Sequence, residues 1–235
     1  MKTEANQSLR GIQDYYCSQR PYGAGSKSIY EIWESGKAFN DSITPSTYVP
    51  EYRAHIGDTI LALTAEGSLV FSLGCGNGFV EGDLVRAGRG VRAIDCNEEA
   101  VRLARSKGVD ASAADYFRLS PADVAGTDLL YADGLLGHLF DPERRLAPAF
   151  SKLMGLSLRQ GAYLVFSNDS PLDPEADFSP HERVKDFWFI SKDYLARSLT
   201  SYGFAVKKSY YFPYLRPISG PRNRAICIAS IMTDA

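Results

Sequence analysis

Between residues 68 and 86 the chain reads SLVFSLGCGNGFVEGDLVR, a short apolar run of β type that breaks into three alternating glycines and then opens a helix-type segment. Gly74, Gly76 and Gly78 place bare backbone at that turn, where side chains would block the close approach of a ligand. The pattern continues downstream. VRAID (91–95) precedes a helix-type segment at 97–107, and VDASAAD (109–115) and DLLYAD (128–133) follow as further strands. AYLVFS (162–167) comes after a helix at 146–156, whose start is limited by Pro148. Strands alternating with helices predict a mainly parallel sheet covered on both faces. In the last third, Ser191 is placed to cap a helix that Gly203 ends. FAVKKSYYF (204–212) and RAICIASI (224–231), joined by a Pro/Gly-rich loop, then read as an antiparallel hairpin at the sheet edge.

The first 66 residues differ. Helix-type segments at 9–18, 28–39 and 48–65 are interrupted by Gly23, Gly25, Pro45 and Pro50, which predicts a helical cap (1–66) within the same domain as the ligand-binding α/β part (67–235). A length of 235 residues with 45% hydrophobic and 23% charged residues fits one domain with a substantial core. The net charge of -2 gives no electrostatic reason to expect nucleic acid or acidic lipid, and favours a small, weakly charged or zwitterionic substrate. Four scattered cysteines without CxxC or Cys/His spacing indicate neither a metal site nor a disulfide framework, as in a reducing cytoplasm. No run approaches the roughly 18 apolar residues of a membrane span, so a soluble, unexported protein is expected.

A dinucleotide is the first ligand to consider for the glycine turn, but its fingerprint needs a third glycine where this chain has Phe79. Asp95, about 20 positions on at the end of the second strand, is placed to hold a ribose hydroxyl. Taken in order, VFSLGCGNGFVE, VRAIDCNEEAV and AADYF resemble the class I S-adenosylmethionine (SAM) dependent methyltransferases over about residues 66–232. The resemblance implies a Rossmann-like three-layer sandwich, a seven-stranded mainly parallel sheet with an antiparallel C-terminal hairpin, and SAM as co-substrate without a metal. It implies that Gly74, Gly76 and Gly78 pass beneath the methionine and ribose, that Asp95 binds the ribose hydroxyls, and that Cys96 and Asn97 lie beside the adenine. Asp115 and Tyr116 would meet the adenine amine and ring edge. ADGLLGHL (132–139) is similar to the segment that lines the transferred methyl group, which brings in Asp133. One position departs from the family: two places before the first glycine, an acid is replaced by Ser72. Taken alone, the glycines also read as a ligand-free turn and Asp95 as a helix cap.

Displacement at a sulfonium needs alignment and exclusion of water more than acid or base catalysis. Aromatic faces hold such a cation, each contact contributing roughly 0.5–2 kcal/mol. The cap is crowded with aromatic residues, among which Tyr15, Tyr16 and Tyr22 are the functional candidates, against the alternative of ordinary packing. His138, just after the fourth strand, is a candidate proton acceptor or a structural histidine. Asn168 and Asp169, after the fifth strand, are placed to orient a substrate or to form a turn. His55 and His181 read as surface or cap residues, and Glu98 and Glu99 as acids complementing a helix dipole.

The leading function is methyl transfer to a small metabolite. A second is a SAM-consuming lyase or cyclase that releases methylthioadenosine, similar to azetidine-2-carboxylate synthases. A third is a SAM-binding pseudoenzyme. The glycine spacing disfavours a nicotinamide oxidoreductase. The lack of a basic stripe and of a DPPY-type tetrad disfavours a nucleic-acid methyltransferase. The expected partner is a small molecule, or SAM alone, with no nucleic acid and no membrane, for a monomer or homodimer.

Overall fold

Five parallel strands belong to a seven-stranded sheet; four of them are largely buried, and the fifth, DASA (110–113), closes the edge with only Ala111 buried. The computed structural model describes residues 4–184 and 186–232. Helix α1 (Glu4–Cys17) leads into a hairpin, β1 (Arg20–Tyr22) and β2 (Gly25–Lys27), followed by α2 (Ile29–Glu34), the single turn α3 (Pro45–Tyr48) and α4 (Pro50–Leu63). Alternation then begins with β3 (Leu69–Leu73), α5 (Phe79–Arg86), β4 (Gly90–Asp95), α6 (Glu98–Arg105) and β5 (Asp110–Ala113). It continues with β6 (Leu129–Asp133), α7 (Leu135–Leu139), α8 (Ala147–Gly155) and β7 (Tyr163–Asp169). A small pair, β8 (Phe178–Pro180) and β9 (Trp188–Ile190), precedes α9 (Lys192–Ser201), β10 (Phe204–Arg216) and β11 (Gly220–Ile231).

The strand order is β10, β11, β7, β6, β3, β4, β5. Pairings among β3 to β7 are parallel, and β11 is antiparallel to both β7 and β10. Three layers result. Phe150 and Leu153 of α8 and Leu195 and Leu199 of α9 pack on one face. Tyr52, Ile56 and Ile60 of α4, with Leu84 of α5 and Val101 and Ala104 of α6, pack on the other. Helix α6 shows why: Ala100, Val101, Leu103 and Ala104 make one apolar stripe, while Glu98, Arg102 and Arg105 face away.

Three expectations are revised by the packing. The third N-terminal helix belongs to the sandwich rather than to the cap, because Tyr52, Ile56 and Ile60 are fully buried against the sheet. The first two helical segments are separated by the β1–β2 hairpin, and α2 stops at Glu34, before Gly36 in its left-handed conformation. The closing strands run through most of the Pro/Gly-rich stretch. Pro213 sits on the edge strand, and Pro221 lies outside the Arg224–Ser230 stretch of β11 that bonds to β7, so neither proline costs an inner ladder bond. Among the described residues no helix is long and apolar enough to cross a membrane, and no group of three or more His, Cys, Asp or Glu is placed to hold a metal ion.

Candidate functional site

The carboxyl ends of β3, β4, β6 and β7 open into a cavity of about 740 Å³, roofed by α1, α2 and the segment leading to α3. That volume falls in the upper part of the range for small-molecule sites, about 300–1,000 Å³.

All three glycines of the turn have positive φ, +70° at Gly74, +52° at Gly76 and +71° at Gly78. Their surroundings divide their work. A Cβ on Gly78 would lie 2.6 Å from Cβ of Ala104, so this glycine lets α5 seat against α6. At Gly76 nothing is nearer than Cε1 of Tyr30 at 4.0 Å, and its bare backbone faces the cavity. The Gly76 amide donates to Asp95 Oδ2 at 2.9 Å and the Asn97 amide donates to Asp95 Oδ1 at 2.9 Å. A carboxylate offers about four lone-pair sites. The two amides occupy one site on each oxygen, with the Asn97 side chain and Cys96 amide nearby, and the remaining acceptor capacity suits a pair of adjacent hydroxyls. Burial pushes the Asp95 carboxyl up, against the pull of the backbone amides that favour its ionised form.

The acid absent from position 72 reappears from another element. Ser72 Oγ donates to Glu81 Oε1 at 2.6 Å, and Glu81, on the first turn of α5, is 3% exposed and lines the cavity. Burial pushes its carboxyl up to about 7. Asp133 supplies a third carboxyl group. Its Oδ1 accepts from Tyr52 Oη (3.0 Å), Ser167 Oγ and Arg224, whereas Oδ2 is buried with no protein donor. Glu81, Asp95 and Asp133 therefore line a region that favours a ligand carrying donors and positive charge.

Aromatic rings build the opposite wall. Tyr15, Tyr16, Tyr30, Trp33 and Phe39 all line the cavity, with Tyr16 at 5.6 Å from Tyr30 and 5.5 Å from Trp33 between ring centres. Polar latches hold this cap down. Gln13 Nε2 donates to the Cys96 carbonyl at 2.7 Å, Asn97 Nδ2 to Tyr30 Oη at 3.0 Å, and Asn77 Nδ2 to the Tyr30 carbonyl at 3.1 Å. Tyr16 Oη lies 3.0 Å from His138 Nε2. Burial pushes both groups toward neutrality, the Tyr16 phenol well up and His138 down to about 4. The two groups therefore pair as a neutral phenol and a neutral imidazole. Charging His138 costs roughly 3 kcal/mol more than charging a histidine in water. It therefore orients Tyr16 better than it would serve as a base.

Other sequence candidates are placed as follows. Cys96, Asn97, Asp115 and Tyr116 all border the cavity. Asp115 Oδ1 accepts from the Phe117 amide at 2.9 Å, while the Tyr116 ring turns into the core and its hydroxyl donates to the Ala149 carbonyl at 2.7 Å. Tyr22 is not among the lining residues. It sits on the β1–β2 hairpin, where Lys27 covers its ring at 5.8 Å, and Tyr30 and Trp33 supply the rings instead. Asn168 is likewise a brace. Fully buried in β7, it accepts from the Gly137 amide (2.9 Å) and donates to the carbonyls of Trp188 (2.9 Å) and Asp169 (3.0 Å), and it is not among the residues lining the cavity. Asp169 is also a strand residue rather than a turn former. His55 is occupied by Tyr210 at 2.9 Å.

The residues that sequence reasoning missed come from β10, β11 and the segment before β9. Asp169 accepts from Tyr214 Oη at 2.6 Å, from Arg224 Nη1 at 2.9 Å and from Arg216. These cations hold the Asp169 carboxyl far below its ordinary range despite its burial. His181 lines the cavity, and its Nδ1 accepts the amides of Arg183 (3.0 Å) and Val184 (3.1 Å), so the ring proton resides on Nε2. The pairing Arg224↔Asp169 is set by antiparallel register between strands 55 positions apart, which no local pattern announces.

Comparison with known proteins accords with this geometry. A family profile described as "Methyltransferase domain" matches residues 71–156. A tabtoxin biosynthesis enzyme of Pseudomonas amygdali pv. tabaci is 59% identical over 233 residues, covering 98% of this chain and 92% of that protein. Among solved structures, 1,6-didemethyltoxoflavin-N1-methyltransferase of Burkholderia thailandensis, bound to 1,6-didemethyltoxoflavin and S-adenosylhomocysteine, is similar in fold with a TM-score of 0.59 at 20% identity, covering 92% of this chain and 95% of that one. Magnesium protoporphyrin IX methyltransferase of Synechocystis, with SAM bound, gives a TM-score of 0.57 at 18% identity, covering 93% and 96%.

Proposed function

The chain belongs to the class I SAM-dependent methyltransferases, and from that premise we propose that it transfers a methyl group from SAM to a small metabolite. The observation that carries the reading is Asp95, buried at the end of β4 with one backbone amide on each oxygen and with lone pairs left for a diol. When bound, SAM supplies a methyl carbon made electrophilic by its sulfonium. The chain's own residues hold and enclose it. The backbone from Gly74 to Gly78 passes beneath it, Asp95 receives the ribose hydroxyls, and Cys96, Asn97 and Asp115 border the adenine. Glu81 and Asp133 Oδ2 receive the amino group, a role left open by Ser72.

Tyr15, Tyr16, Tyr30 and Trp33 exclude water and present π faces to a cation. Tyr16, its hydroxyl fixed by His138, is the group best placed to align an acceptor. A small metabolite fits the size of the cavity and the name of the relative in tabtoxin biosynthesis. The test is incubation of the protein with SAM, with and without a fractionated small-metabolite extract, followed by mass analysis. S-adenosylhomocysteine is expected only with an acceptor. Methylthioadenosine from SAM alone overturns methyl transfer in favour of SAM cleavage or cyclisation. Asp95→Ala removes two hydrogen bonds to a charged group, each contributing roughly 1.5 kcal/mol, so affinity for S-adenosylhomocysteine should fall about 100-fold. Unchanged affinity refutes the ribose assignment.

A further inference from the structure

Across the sheet from Asp95 the cavity holds one cation without an acidic partner among the described residues. Strand β11 lies four strands from β4, about 19 Å at a strand spacing of 4.7–4.9 Å. At this end the buried charges cancel or leave an excess of carboxylate. Arg216 and Arg224 are spent on Asp41, Asp133 and Asp169. Arg222 is different. It lines the cavity, its Nε donates to Ser219 Oγ at 3.1 Å, and its Nη1 is buried without an acceptor. A guanidinium left so is costly, and the group that suits its planar fork is a carboxylate.

His181 lines the same end and adds a neutral N–H donor at Nε2. The remaining charged groups there, Asp173, Glu182 and Arg183, are exposed at the rim.

We propose that Arg222 receives a carboxylate of the methyl acceptor, which makes the acceptor a carboxylate-bearing small molecule. The proposal rests on the methyl-transfer reading for the word acceptor, but the anion site stands on its own geometry. The cofactor's own carboxylate does not account for it. With its amino group at Asp133 on β6, that carboxylate lies two strands, about 10 Å, from β11, and Arg222 is tethered to Ser219 within its own hairpin. A carboxylate is preferred to a phosphate because one half-buried cation without a carboxylate partner balances one negative charge.

The experiment uses protein saturated with S-adenosylhomocysteine and titrates it with succinate, with its neutral isostere succinamide and with inorganic phosphate, following heat of binding. Succinate should bind at least tenfold more tightly than succinamide, a factor equal to 1.4 kcal/mol. Arg222→Gln should abolish the difference and Arg222→Lys should restore part of it. S-adenosylhomocysteine should bind wild type and both variants alike, which shows them folded. The proposal is overturned if succinate and succinamide bind equally, if Arg222→Gln retains the preference, or if phosphate binds more tightly than succinate. Should S-adenosylhomocysteine itself fail to bind, the methyl-transfer reading falls while the same titration on the ligand-free protein still decides the anion site.

Discussion

Glu81→Gln separates what this residue does for stability from what it does for the ligand. The Glu81 carboxyl is pushed from an ordinary value near 4.5 up to about 7 by burial, which outweighs the hydrogen bonds from Ser72 and from its own backbone amide. Between those two values the unfolded chain has already lost the proton that the folded chain keeps. Stability due to this group is therefore fully present below about pH 4.5 and is lost as pH rises toward 7. At 1.36 kcal/mol per unit, a shift of this size corresponds to roughly 3 kcal/mol. Gln has the same shape, keeps an oxygen for Ser72 and never ionises, so it escapes the loss. Urea unfolding followed by the fluorescence of Trp33 and Trp188 should show the variant close to wild type at pH 4.5. By pH 8 it should be more stable by about 3 kcal/mol. Taking the difference between variant and wild type cancels other titrating groups. The same variant should bind S-adenosylhomocysteine more weakly, because the ionised carboxylate that destabilises the empty site balances the ligand's amino group. A difference in stability that stays constant between pH 4.5 and 8 refutes the buried, protonated carboxyl.

Two further substitutions test the frame of the site. Gly78→Ala adds a Cβ at 2.6 Å from Cβ of Ala104 and forces a side chain into a left-handed conformation, φ +71°. Strain and overpacking together should cost roughly 2–5 kcal/mol by denaturant unfolding, and a loss under 1 kcal/mol refutes the role of Gly78 in seating α5 on α6. Asp169→Asn leaves Arg216 and Arg224 without a shared partner, and by the usual cost of breaking a buried ion pair should destabilise by about 3–5 kcal/mol at pH 7. Because this carboxyl lies below its ordinary range, its stabilisation is present above about pH 4 and is lost on acidification, so the penalty should shrink toward low pH. A penalty independent of pH contradicts the ion-pair network.

The parallel half of the fold was legible because most strands there are short, largely apolar runs bounded by turn residues. VFSLGCGNG, VRAID and DLLYAD each fall on an observed strand end. Asp95, placed by sequence at the end of the second strand of the alternation, does stand at the end of β4 and lines the cavity. Tyr22 and Asn168 were misplaced for opposite reasons. A ring in a Gly-rich stretch carries no sign of which way a hairpin will turn it. Asn168 looks like a turn former by its neighbours, yet β7 extends through it and its side chain is bonded to Gly137, Trp188 and Asp169.

Sequence alone therefore determined the glycine turn, the position of Asp95 at the end of its strand and the sheet that carries them, because these depend on backbone conformation and on local runs of residues. Only the tertiary structure decided how the site is charged. It brought Glu81 from a helix to the place Ser72 leaves without an acid, and set Arg224 beside Asp133 and Asp169. It left Arg222 with a buried, unpaired nitrogen at the far end. Such contacts arise from antiparallel register and from helix packing between distant segments, and burial then shifts the ionisation of each group in ways that its neighbours in the chain do not encode.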